Sequence, residues 1–168
     1  MVTAAMRERI KAHLGTGQLG RVIYGAIIGM ALIVVLEAHP PGPGSVVAGL
    51  VATALAVALA EIYSDVVATE HRTRRRVTRE HLGEITSDAG AVAFGVVFPA
   101  VFFILAALDV MEDHTAFTVA KWSGVGLIGF YGFSAARLAG SRWTVALLQG
   151  LAAGAIGGVL ILFKALVH

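Results

Sequence analysis

The chain has 168 residues, 57% of them hydrophobic and only 14% charged, with a mean hydropathy of +0.80; soluble domains average about 25% charged residues, so this much apolar surface belongs in a bilayer and not in one globular core. A formal net charge of +2 gives no bulk-charge case for nucleic acid. The absence of cysteine excludes disulfides, thiol catalysis and cysteine metal sites. Residues 1–20 are polar, and no small-residue cleavage site precedes the first apolar run, so no cleavable signal sequence is expected. Met6, Ile10 and Leu14 recur every four residues with Arg7, Arg9 and Lys11 off that stripe. The pattern predicts a short amphipathic helix on the cytoplasmic membrane surface, with a frayed terminus as the alternative.

Five apolar stretches follow, at about 22–38, 46–66, 89–108, 117–136 and 143–163. Each is near the roughly 20 residues a helix needs to cross a hydrocarbon core of about 30 Å. "HPPGPG" (39–44) separates the first two, since three prolines and two glycines cannot continue a helix. A basic linker, 67–88, separates the second and third. "DVMEDHT" (109–115) and "RLAGSR" (137–142) separate the rest, the latter short enough to make its flanking spans antiparallel neighbours. Eleven of the thirteen basic residues fall on one side of this layout, leaving only Lys121 and Lys164 on the other. Basic residues concentrate in cytoplasmic segments, so the expected fold class is an all-α integral membrane protein. It has one membrane domain over 1–168, five transmembrane helices, and N-in/C-out orientation. Arginine outnumbers lysine ten to three, a bias common in GC-rich bacterial genomes, and the expected location is a bacterial inner (plasma) membrane, crossed several times.

Charges inside spans are costly and face a partner or a water-filled path. Only 15 residues, 46–60, precede Glu61, about 22 Å of helix, so Glu61 is placed within the inner part of the membrane with Asp65 near its inner edge. Four residues apart, the two share a face, with Ser64 beside them. Two readings stand level: a cation or proton site made of Glu61, Asp65 and Ser64, or a salt bridge to Arg137 or Arg21. Glu37 and Lys121 have opposite signs and similar depth near the outer side, and are expected to form a structural ion pair. Pro99, midway along the third span, frees a backbone carbonyl and could kink the helix, although spans tolerate proline.

The stretch "EHRTRRRVTREHLGEITSD" (70–88) is expected to continue the second span as a charged helix and turn back near Gly83–Ser87. Glu80, His81 and Glu84 within it are candidate ligands for a divalent metal. Five arginines in Arg72–Arg79 would repel cations, and favour anionic lipid headgroups instead. "GTGQLG" (15–20) and "GVGLIG" (124–129) match G-x-G-x-x-G but lack the strand and βαβ context that nucleotide binding requires. Gly25/Gly29, Gly150/Gly154 and Gly154/Gly158 are four apart, a spacing for close helix contact either within the chain or across a homodimer.

The order of these features resembles the vacuolar iron transporter family. "YGAIIG" (24–29) is similar to that family's Tyr-Gly-x-x-Asp-Gly at Tyr24, Gly25 and Gly29, with Ile28 in place of the Asp. "AVALAEIYS" (56–64) is similar to Ser-Met-Ala-x-Gly-Glu-Tyr-x-Ser at Glu61 and Ser64, with Val57 in place of the Met, Ala60 in place of the Gly and Ile62 in place of the Tyr. The family's long acidic insertion between spans two and three is here short and basic. The resemblance implies a five-span homodimer exporting divalent ions against protons, with Glu61 as membrane-embedded ligand. The expected function is therefore a small transporter or channel for a cation, a divalent metal or a proton, with no resident cofactor and no enzymatic activity. The alternative is a non-transporting scaffold or assembly subunit of a membrane complex, which predicts that every intramembrane charge is paired.

Overall fold

The structure is a computed structural model and describes residues 17–167. The amphipathic helix expected over residues 1–16 lies outside this range. Six helices and no strands occur among the described residues: α1 (Gly17–Leu36), α2 (Pro43–Thr73), α3 (Arg79–Val97), α4 (Ala100–Ala107), α5 (Asp113–Leu138) and α6 (Trp143–Val167). α1, α2 and α6 are each long and apolar enough to cross a membrane. So is the α3–α4 pair, if the two helices, bent by 47°, are taken as one span. α5 has the length, 26 residues, but Lys121 and its interspersed glycines, serines and Tyr131 dilute its apolar character.

Small apolar residues are frequent inside the bundle, and large ones cover much of its outside. Among the described residues nine of the twenty-one buried hydrophobic ones are alanine, while Leu55, Leu59, Leu148, Leu151 and Leu162 are each more than 60% exposed. Water would drive such leucines inward. Lipid does not, and leaves small residues to bring helix backbones together. The packing is that of a membrane protein.

Two glycine contacts build the bundle. α1 lies against α3 so closely that a Cβ on Gly25 would stand 2.0 Å from the Val92 carbonyl oxygen, and one on Gly95 would stand 2.3 Å from that of Val22. α5 meets α6 where a Cβ on Gly150 would fall 2.8 Å from the Gly129 carbonyl oxygen. Of the two roles open to the four-residue glycine spacing, Gly25, Gly29 and Gly150 take the internal one. Met30 joins the two halves, fully buried, its Cγ and Sδ in the notch at Gly124. A second core layer forms where Ile33, Val46 and Leu50 meet Phe103 and Phe117, whose rings stack edge-to-face at 4.8 Å.

Pro99 separates α3 from α4. It has no N–H to donate to the preceding turn and its ring crowds that turn's carbonyl, which accounts for the bend at this point. α2 runs 31 residues, about 46 Å, with Pro43 in its first turn, and ends at Arg74 in the left-handed conformation (φ 54°). The chain therefore reverses at 74–78, not near Gly83–Ser87. Thr78 is the reason: its Oγ1 accepts the His81 N–H at 3.3 Å and starts α3 ten residues before the apolar run begins. The expected linker of 67–88 is thus mostly helix, and its non-helical part is only five residues.

Candidate functional site

Arg21 sits one turn into α1, four residues before Gly25 and on the face turned toward α3. Close α1–α3 packing brings it against the carboxylates of two other helices. Its Nη1 donates to Glu61 Oε1, its Nη2 to Asp65 Oδ2 at 3.1 Å, and its Nε lies 3.3 Å from Asp88 Oδ2. Glu61 and Asp65 come from consecutive turns of α2 and Asp88 from α3. Each nitrogen edge of one planar guanidinium thus faces a different carboxylate, a geometry that a lysine ammonium could not reproduce. Beside it, Gln18 Nε2 donates to Ser87 Oγ at 3.0 Å and ties α1 to α3 a second time.

The cluster is neither dry nor open. Arg21 and Glu61 each expose 26% of their side chains, and Asp65 and Asp88 slightly more. Among the described residues formal charge does not balance: one positive charge meets three negative ones. Ser64, expected beside Glu61 and Asp65, is instead exposed, because it stands about 100° around the helix from Asp65. Of the two arginines considered as partners, Arg21 holds the carboxylates. Arg137 donates from Nη1 to the Ser141 carbonyl at 2.8 Å and stacks over Trp143 at 5.6 Å.

At the other end of α1, Lys121 Nζ donates to both oxygens of Glu37, at 2.6 and 2.8 Å. These side chains are only 16–17% exposed. The pair links the end of α1 to α5.

The metal candidates at the start of α3 do not converge. His81 Nδ1 lies 2.9 Å from Glu84 Oε2 and its Nε2 3.4 Å from Thr69 Oγ1, so both ring nitrogens already face protein groups. Glu80 is exposed. Among the described residues no three His, Asp or Glu side chains form a group that could hold a metal ion.

Asp88 was not among the residues singled out from the sequence, although a signal for it exists. Ile85, Ala89, Val92 and Val96 are the buried stripe of α3, and Asp88 falls on that stripe one turn before Val92. A carboxylate on a buried stripe calls for a partner.

Comparison of the chain with protein-family models, with curated proteins and with solved structures gives no match.

Proposed function

We propose that this membrane protein moves a small cation, a proton or a divalent metal, through the carboxylate cluster at Arg21. In this reading it has five spans, N-in and C-out, in a bacterial inner membrane, with α5 and the bent α3–α4 pair each counted as a span. It is also the reading under which the likeness to vacuolar iron transporters has a functional meaning. The observation that carries it is the charge imbalance. Among the described residues Glu61, Asp65 and Asp88 share the single guanidinium of Arg21, so two formal negative charges are left over. A group of this sign at membrane depth attracts protons or cations and is costly to keep without use. Arg21 acts as the resident counter-charge. An arriving cation competes with it for Glu61 and Asp65, and Arg21 reclaims them when the cation leaves.

One observation favours the second reading, a non-transporting scaffold. Glu37 with Lys121, and Arg21 with its carboxylates, give each of these charges a partner of opposite sign. A homodimer, if it forms, uses a seam other than Gly25 and Gly29, which are filled by α3.

Purified protein in liposomes, loaded with a pH-sensitive dye or a divalent-metal reporter, separates the two readings. Transport predicts flux that Glu61→Gln abolishes while the folded helix content is kept. If flux is at background for the wild type, or unchanged in Glu61→Gln while thermal stability falls, the cluster is structural and the scaffold reading stands.

A further inference from the structure

The turn between α2 and α3 carries Arg72, Arg74, Arg75, Arg76 and Arg79 within eight residues. Arginines this dense usually form a solvated face, each guanidinium loosely paired with a neighbouring acid. Here the neighbouring acids do not pair with them. Glu70 Oε1 accepts the Val77 N–H at 3.4 Å, and Glu84 faces His81. Among the described residues no carboxylate lies within ion-pair distance of any of the five arginines.

The turn beneath them is built by its own side chains. Thr73 Oγ1 donates to the Thr69 carbonyl at 2.8 Å and accepts the Arg75 N–H at 3.3 Å. The Arg74 N–H closes the α2 terminus on Glu70, and Thr78 caps α3. Short side chains therefore hold the backbone from which the arginines project. Two concavities flank it. One, of about 320 Å³, is lined by Arg72, Arg75, Arg76 and Thr78 among others; the second, of about 310 Å³, is lined by Glu70, Arg74, Arg75 and Arg76. Arg75 and Arg76 border both.

We propose that this turn is a binding site for a phosphate group. A phosphate offers oxygens that guanidinium forks grip two at a time, and the chain supplies three forks, Arg72, Arg75 and Arg76, around the first concavity, whose lining bears threonine hydroxyls and no carboxylate. Depth points to the phosphate of an anionic phospholipid. α2 is about 46 Å long against a bilayer of about 40–45 Å with its headgroups, so a helix starting at one interface delivers the turn to the opposite headgroup layer. A soluble phosphate compound carries the same chemistry, and the test distinguishes the two.

The full chain in detergent micelles is titrated with inorganic phosphate, with dihexanoyl phosphatidylglycerol and with dihexanoyl phosphatidylcholine, and the backbone amide shifts of residues 72–79 are followed by NMR. Saturable shifts confined to this turn are expected, with phosphatidylglycerol binding more tightly than phosphatidylcholine. Arg75→Gln with Arg76→Gln should weaken binding at least tenfold. Arg75→Lys with Arg76→Lys, which keeps the charge and loses the forks, should weaken it about three- to tenfold. Arg142→Gln, a basic residue outside the turn, should change it less than twofold. Saturation by phosphatidylglycerol alone identifies the lipid as the source of the phosphate, and saturation by inorganic phosphate alone identifies a soluble one. A non-saturating response to every probe, or equal weakening by Arg142→Gln, overturns the proposal, because attraction would then be to net charge and not to a site.

Discussion

Lys121 Nζ stands within 2.8 Å of both carboxylate oxygens of Glu37, at the opposite end of α1 from the Arg21 cluster. Sixteen residues, about 24 Å of helix, separate Arg21 from Glu37, so α1 is anchored by a charge contact at each end: to α2 and α3 at one, to α5 at the other. Between these ends it is held by glycine contact with α3.

The Glu37–Lys121 pair should show strong coupling. Either Glu37→Gln or Lys121→Met leaves one charge largely buried without its principal partner, which costs more than removing both. The double variant should be more stable than the sum of the single losses predicts, with a coupling of about 1–3 kcal/mol in thermal or denaturant unfolding in detergent. Additive losses would mean that the contact contributes nothing.

Arg21→Lys tests whether three-way reach matters. Charge is kept, but a single ammonium cannot face Glu61, Asp65 and Asp88 from three edges at once. A loss of about 1–2 kcal/mol is expected, modest because the cluster is partly exposed to screening. Arg21→Met should cost more, since three carboxylates then repel one another, and adding Glu61→Gln should recover part of that loss. Stability unchanged in Arg21→Met would remove Arg21 as the organiser of this end of the bundle.

Gly25→Ala should be severely destabilising, because its new methyl would meet the Val92 carbonyl, a backbone atom that cannot swing aside. Overpacking usually costs about 1–3 kcal/mol, and contact with backbone belongs at or above the upper end. Gly90→Ala, on the same α3 helix with no atom within 4 Å of the added group, should be neutral or stabilising by up to about 1 kcal/mol. The melting temperature should fall for Gly25→Ala and stay level or rise for Gly90→Ala; equal shifts would show that α1 and α3 are not in close contact.

Topology has its own test. Reporter fusions after His39, near Arg76, after Asp113 and at the C-terminus should read out, in, out and out. This expectation rests on the eleven basic residues assigned to one side. A cytoplasmic C-terminus would overturn the five-span arrangement.

The membrane class of this protein is written in its amino-acid sequence, because apolar content and helix length act locally and need no knowledge of neighbours. The same holds for the depth match of Glu37 and Lys121, which follows from counting residues along two helices. The reversal at 74–78 depended on a cap: one hydrogen bond from the His81 N–H to Thr78 outweighs the turn signal of Gly83 and Ser87, and composition does not rank the two. The partner of Glu61 was decided only by tertiary structure. Arg21 and Arg137 were equivalent in sign and side; the glycine contacts at Gly25 and Gly95 draw α1 onto α3, while the Ser141 carbonyl and the Trp143 ring hold Arg137. Asp88 joined the cluster for the same reason. An ion pair between helices is set by which faces pack, and packing is a property of the whole bundle that no single helix carries in its own residues.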